Sequence, residues 1–107
     1  MNQVCYGERE RVYRDALKVY GQRLQEIVAI EELSECIKEV CKMQRGVGVR
    51  GKLAEEIADA TIVLEQLRLM YDMNEEVCAF MDQKVRRLEK NIEQDSRKEN
   101  ICLCRNT

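Results

Sequence analysis

The sequence predicts an all-α fold, a small bundle of four main helices that a second copy of the chain completes. The 107 residues include no proline and few aromatic residues, while glutamate, lysine, leucine and isoleucine are frequent, a composition that favours helices. Apolar residues recur every three or four positions, which is helical spacing, and no segment predicts a strand convincingly. A chain this short buries a modest core alone, so apolar residues on more than one face of a helix indicate a partner subunit.

Glycines mark the ends of the first two predicted helices. The first helix covers residues 8–20 and ends at Gly21, a residue type that readily caps a helix in the left-handed conformation. The second covers residues 22–44, and a loop with three glycines, residues 45–51, interrupts the periodic pattern after it. The third helix is therefore predicted to cover residues 52–71.

The third and fourth helices carry the clearest apolar patterns. In the third, residues spaced four and three apart form a predicted core seam, which consists of Leu53, Ile57, Ala60, Leu64, Leu67 and Tyr71. The fourth is predicted to begin at a cap formed by Asp72 or Asn74. Its apolar positions are Val77, Met81, Val85, Leu88 and Ile92. We expect residues 1–95 to form a single domain and the polar tail 96–107 to fray.

The charge and the cysteines narrow the functional classes and the compartment. The net charge is -2, whereas a protein that binds a nucleic-acid polymer is usually basic, and no apolar run is long enough to span a membrane. Cys36, Cys41 and Cys78 lie within helical patterns, where reduced cysteines pack as small apolar side chains. Cys102 and Cys104, without a histidine or a second close cysteine pair, do not predict a zinc site. The expected location is the reducing cytoplasm.

A near match to a phosphate-binding loop lies between the second and third helices. Gly46 and the pair Gly51-Lys52 have the spacing of a P-loop, but Leu53 follows where that motif needs a hydroxyl side chain for Mg²⁺. The pattern also lacks the buried strand that must precede such a loop. We therefore expect a flexible, basic loop between two helices.

Two pairs of acidic residues repeat one spacing on consecutive helices. The second helix contains Glu32 and Glu35 in AIEELSEC. The third contains Glu56 and Asp59 in LAEEIADA. Acids three residues apart lie on one face and repel each other, and a solvated charged face is their ordinary explanation. On the third helix, however, Val63 continues the stripe of the acids, which indicates partial burial and hence a need for cations.

The residue types of these pairs indicate which metal such a site would hold. Hard carboxylate oxygens suit Mg²⁺ or Mn²⁺, whereas a ferritin-like di-iron site needs histidine, and the chain has none. Glu32 and Glu35 lie nearly opposite the apolar arc of their own helix. Another element must therefore pack there to cover them, and a second copy of the chain is one candidate for that element.

The doubled acidic motif resembles that of a known family. The pattern E-x-x-E, twenty intervening residues and E-x-x-D, which begins at Glu32 and ends at Asp59, is similar to that of the MazG-like all-α nucleoside triphosphate pyrophosphohydrolases. The resemblance covers residues 20–91. It implies hydrolysis of a nucleoside triphosphate to the monophosphate and pyrophosphate by a homodimer or homotetramer. The catalytic residues and Mg²⁺ ligands that it implies are Glu32, Glu35, Glu56 and Asp59.

Basic residues on the fourth helix are candidates for binding the phosphates, as the same resemblance implies. Lys84 and Arg87, one turn apart, would neutralise phosphate charge. Arg86 and Lys90 compete for this role, and a surface function that balances nearby acids is an equal alternative. Gln25 is a candidate for the nucleotide pocket, with an ordinary surface position as its alternative.

Two functions from different classes follow from these patterns. The first is a Mg²⁺-dependent pyrophosphohydrolase, in which a water positioned by a carboxylate attacks the α-phosphorus and pyrophosphate leaves. The second is a non-catalytic helical module that dimerises through its apolar seam. No residue of the sequence identifies a preferred base or sugar.

Overall fold

The described part of the chain forms four α-helices, and the predicted all-α fold is confirmed. A computed structural model describes the backbone of residues 6–106 and the side chains of residues 7–98, and no strand occurs among them. The helices are α1 (Tyr6–Tyr20), α2 (Gln22–Gln44), α3 (Arg50–Met70) and α4 (Asn74–Asn106). The side chains of Cys102 and Cys104 lie outside the described residues. A second subunit that completes the bundle stays a prediction.

A single glycine separates α1 from α2. Gly21 has a φ of 82° and a ψ of 159°, so its φ is positive as predicted, but its ψ lies outside the left-handed helical region. Its N–H donates to the carbonyl of Leu17 (2.9 Å), and its own carbonyl accepts from the N–H of Gln25 (3.2 Å). This backbone conformation is open almost only to glycine, which explains why the chain changes direction here.

The loop after α2 ends that helix and leads directly into the next. Gly46 has a φ of 77°, its N–H donates to the Met43 carbonyl, and the N–H of Val47 donates to the Lys42 carbonyl. This is a Schellman arrangement, which satisfies the last carbonyls of a helix. Because α3 already begins at Arg50, helices lie on both sides of the glycine motif, which agrees with an interhelical loop and not with a P-loop.

The end of α3 repeats this arrangement without a glycine. Asp72 has a φ of 48°, and its N–H donates to the Leu69 carbonyl while the N–H of Met73 donates to the Arg68 carbonyl. Asp72 therefore ends α3 and does not cap the following helix. Asn74 is the first residue of α4, but its buried Oδ1 has no hydrogen-bond partner, so its side chain makes no capping bond.

Helices α1, α2 and α3 pack together, with α2 and α3 in the most extensive contact. The buried apolar side chains among the described residues are Tyr13, Ala29, Ala60 and Val63. Alanines on both helices allow α2 and α3 to approach closely, as small residues do at helix contacts. Glu65 links α1 to α3 because it accepts hydrogen bonds from the Arg9 guanidinium (3.1 Å) and from the Tyr13 hydroxyl (2.9 Å).

The predicted core seam of α3 lies in the core only at Ala60. Ile57, Leu64 and Tyr71 are each about half exposed. The buried side chains of α3 are Ala60, which belongs to the seam, and Glu56 and Val63, which do not. The apolar arc of α2 is exposed in the same way, at Leu24, Ile27, Ile30, Ile37 and Val40. The helices thus meet through stripes that combine small and acidic residues.

The chain divides into two compact units, one up to Met73 and the other from Asn74 onward. The second unit is α4, which continues to Asn106 through the segment for which the sequence predicts a polar tail. Residues 74–106 contain neither glycine nor proline, so no local signal ends the helix at residue 95. The domain boundary at 95 and the fraying of the tail stay predictions. No helix among the described residues has the length and apolarity needed to cross a bilayer.

Candidate metal centre

The acidic pairs of α2 and α3 converge where these helices face each other. Glu32 and Glu35 come from α2, and Glu56 comes from α3. One carboxylate oxygen of each lies within 4.8 Å of the others. We call these three residues, together with the adjacent Asp59, the carboxylate cluster. The i and i+3 spacing on each helix aims both acids of a pair at the same side, and the packing of α2 on α3 brings the two sides together.

Asp59 joins the cluster through Glu32. Partial burial raises the pKa of Glu32, and the negative charge of Asp59 is the next largest cause, followed by those of the other two carboxylates. Protonated Glu32 can also donate a hydrogen bond to Asp59, which raises the pKa of Glu32 further. Without a cation, the cluster therefore favours retention of a proton at Glu32.

Two buried oxygen atoms of the cluster have no hydrogen-bond partner. They are Oε2 of Glu32 and Oε2 of Glu56, and Glu56 is only 4% exposed. A buried carboxylate oxygen without a donor or a cation is costly, and natural interiors contain few such groups. A bound cation is one partner that would satisfy both oxygens, whereas Glu35 is exposed and can reach solvent.

The donor set fits a small divalent cation with oxygen ligands. Carboxylate oxygens of Glu32, Glu35 and Glu56 lie within 4.8 Å of one another, so these side chains would together be able to hold one such ion. All donors are carboxylate oxygens, which suit Mg²⁺ or Mn²⁺.

Two ion pairs lie on the helices that form the cluster, and the sequence patterns assigned no role at the site to their residues. The ammonium of Lys52 lies 3.3 Å from Oε1 of Glu56. Glu39 is 5% exposed and pairs with Lys42 at 3.3 Å. Glu39 follows Glu32 by seven residues, so it lies on the same helical stripe, and this spacing could have identified it.

Gln25 lies on the stripe of α2 that faces α3, seven residues before Glu32. It is buried, which rules out the alternative of an ordinary surface position. Its Oε1 accepts a hydrogen bond of 2.8 Å from Nε2 of Gln66. The two amides form a polar link between the helices, two turns from the carboxylates, and Gln66 has no signal in the sequence beyond its polarity.

The candidate phosphate-binding residues lie in the other unit. Lys84 and Arg87 are exposed residues of α4. Of their competitors, Arg86 pairs with Asp82 at 3.4 Å within the same helix, while Lys90 is exposed. The carboxylate cluster is built from α2 and α3 alone, and the role of Lys84 and Arg87 stays a prediction.

No protein-family model, curated protein or solved structure matches this chain. The resemblance to the MazG-like family therefore rests on the doubled acidic motif alone and stays a prediction.

Proposed function

We propose that this chain is a Mg²⁺-dependent nucleoside triphosphate pyrophosphohydrolase that converts a (d)NTP to the monophosphate and pyrophosphate. The observation that carries the proposal is the convergence of carboxylates from two helices around buried oxygens that lack partners. The resemblance of the doubled motif to the MazG-like family supplies the reaction and the substrate class. The cluster's chemistry agrees with both, because phosphate-handling sites commonly hold Mg²⁺ through a few carboxylates.

In this proposal Glu32, Glu35 and Glu56 would hold the ion, since their carboxylate oxygens converge and two of them lack other partners, and Asp59 would complete the ligand set beside Glu32. Mg²⁺, or Mn²⁺ in its place, would supply neutralisation of phosphate charge and polarisation of the phosphoryl group. The exposed Glu35 would also accept a hydrogen bond from a water, orient it toward the α-phosphorus and take the proton that this water loses on attack. The water oxygen forms the new bond to phosphorus as the bond to the pyrophosphate oxygen breaks.

The remaining substrate contacts follow from the residues that the motif resemblance and the stripe of α2 indicate. Lys84 and Arg87 would meet the phosphates, since arginine can bind them through two parallel hydrogen bonds. Gln25 would lie toward the nucleoside end, because it is on the cluster's stripe but two turns from the carboxylates. Its amide is already oriented by Gln66, which favours a fixed polar contact.

The exposed apolar surfaces support the proposal of a homodimer or homotetramer. The apolar arc of α2 and the half-exposed residues of the α3 seam leave many large apolar side chains open to solvent, and such surfaces often mark contacts between subunits when they are contiguous. A second copy that covered them would also supply the core that a short chain lacks. Sedimentation at micromolar concentration tests this, and a stable monomer would contradict it.

Pyrophosphate release from each common (d)NTP, with Mg²⁺ and with EDTA, tests the proposed activity. We expect turnover that requires the metal, and we expect Asp59→Asn to abolish it while the protein stays folded. Glu31→Gln is the matched control, because Glu31 is an exposed neighbour of the motif outside the cluster. Turnover by Asp59→Asn at the level of wild type would refute the assignment of the site.

The second candidate function is a non-catalytic helical interaction module. The specific observation that favours it is again the exposed apolar surface of α2 and α3, which an interaction protein would use directly. This function predicts oligomerisation without turnover of any (d)NTP and without a response of stability to Mg²⁺. The same assay, together with a thermal melt, separates the two candidates.

A further inference from the structure

Lys52 supplies the ion pair that reaches the carboxylate cluster. The Lys52 ammonium lies 3.3 Å from Oε1 of Glu56. The lysine side chain is half exposed, whereas the glutamate side chain is buried. The lysine thus stands at the boundary between the cluster and solvent. A long flexible stem lets such an ammonium move several ångströms without disturbing the fold.

The environment of Lys52 extends beyond this one partner. A hydrogen bond to Glu56 is the largest cause that raises the pKa of the Lys52 ammonium, and the negative charges of Glu55, Glu56 and Glu39 add to it. Glu39 belongs to α2 and lies on the stripe of Glu32. The ammonium therefore lies in the combined negative field of both helices, and not merely beside a neighbour on its own helix.

We infer that Lys52 is a positioning residue with two partners: its ammonium balances Glu56 in the metal-free protein and binds the β- and γ-phosphates of the substrate once a divalent cation occupies the cluster. This inference rests on the proposed function, which it deepens by placing the pyrophosphate end of the substrate at the start of α3. A divalent cation removes the need for a lysine at Glu56 and repels the ammonium, since like charges disfavour proximity. The arriving phosphates then offer it a strong charge-assisted hydrogen bond.

The contact differs from a P-loop in its construction. In a P-loop, backbone N–H groups of a glycine-rich loop between a strand and a helix enclose the phosphates. Here one side chain from within the first turn of α3 makes the contact, and the loop glycines end the preceding helix instead. Residues 46–52 can therefore match part of the P-loop motif, with Lys52 in the position of the P-loop lysine, although the chain does not form a P-loop there.

Binding measurements on Lys52→Met test this inference without requiring turnover. Loss of the competing, repelling ammonium should tighten Mn²⁺ binding to the nucleotide-free protein by about two- to fivefold, the range of an exposed ion pair. In saturating Mg²⁺, inorganic tripolyphosphate should bind about tenfold more weakly, because a charged hydrogen bond is lost. Lys52→Arg, which keeps the charge, should restore most of the tripolyphosphate affinity.

Lys38→Met is the control, since Lys38 is an exposed lysine of α2 and should change neither affinity. Unchanged tripolyphosphate affinity, or weaker Mn²⁺ binding in Lys52→Met, would overturn the inference. If wild type hydrolyses a (d)NTP but Lys52→Met binds tripolyphosphate normally, only the role of Lys52 fails. If wild type shows no turnover while both affinities shift as expected, the proposed hydrolysis fails and the two-partner role of Lys52 stands.

Discussion

Replacement of Glu56 by glutamine should stabilise the metal-free protein, although it changes a buried residue. Glu56 and Glu35 have oxygens within 4.8 Å. At this distance two charges repel by about 3.5 kcal/mol at an effective dielectric constant of 20, and by about 0.9 kcal/mol in bulk water. Because Glu35 is exposed, the lower part of this range applies. Loss of the half-exposed ion pair with Lys52 offsets part of the gain.

The expected net effect is a rise of about 1 kcal/mol in the free energy of unfolding without metal, or about 4 °C in Tm. Mg²⁺ at about 100 times its Kd should stabilise wild type by about 2.7 kcal/mol. If the substitution weakens Mg²⁺ at least tenfold, the same concentration stabilises Glu56→Gln by no more than about 1.4 kcal/mol. Glu56→Gln thus begins more stable and responds less to the metal.

Thermal melts of both proteins, each in EDTA and in Mg²⁺, measure all four values. Glu55→Gln is the matched control, since Glu55 is the preceding residue of the same helix but is exposed and outside the cluster. It should reproduce the Mg²⁺ response of wild type. A lower Tm of Glu56→Gln in EDTA, or an Mg²⁺ response equal to that of wild type, would refute the reasoning that mutual repulsion and a shared cation govern this site.

Three further predictions concern the loop, the pH dependence and the docking of α1. Gly46→Ala should destabilise the fold by about 1–2 kcal/mol because the φ of Gly46 is 77°. Gly51→Ala should stabilise the fold by about 0.5 kcal/mol, because Gly51 lies in α3 with open space around it. Both variants should retain Mg²⁺-dependent hydrolysis, and complete loss of hydrolysis in a folded variant would favour a P-loop. The raised pKa of Glu32 means that the folded state binds the Glu32 proton more tightly than the unfolded state does. In EDTA the free energy of unfolding should therefore fall as the pH rises from about 4.3, the ordinary glutamate pKa, through the raised value. Glu32→Gln should lack this component in a profile of Tm against pH, and identical profiles of the two proteins would contradict the prediction. Tyr13→Phe removes the hydrogen bond that the Tyr13 hydroxyl donates to Glu65. It should lower the free energy of unfolding, measured by chemical denaturation, by about 1 kcal/mol and leave hydrolysis unchanged. An unchanged free energy of unfolding would show that this bond does not hold α1.

The helices and their limits could be predicted from local sequence. The observed bounds of α2 match the predicted range of residues 22–44, since Gly21 and Gly46 leave the helical conformation at either end. Helical periodicity is a short-range property that depends on neighbours three and four positions away. The end of α4 could not be predicted in the same way. Residues 96–106 look like a polar tail, but they contain no glycine or proline that would end a helix.

Only those features of the candidate site that lie within a single helix could be predicted from the sequence. The i and i+3 spacing placed Glu32 beside Glu35 and Glu56 beside Asp59, and Val63 indicated that the stripe on α3 was covered. The spacing of seven residues from Glu32 places Glu39 on the same stripe, but no local pattern could show that this stripe is the buried face or that Lys52 pairs with a buried carboxylate. Those facts depend on which face of each helix meets the other.

The sequence by itself determined the helical class, the limits of α2 and the pairing of acids along each helix. The tertiary structure decided that α2 and α3 meet through their small and acidic stripes, which brings Glu35 within 4.8 Å of Glu56 and leaves Ile30 and Ile37 exposed. The physical reason is that a helical pattern specifies which side chains share a face, through hydrogen bonds within one helix. The choice of the face that another helix covers is made by packing between residues far apart in sequence, and periodicity carries no information about that partner.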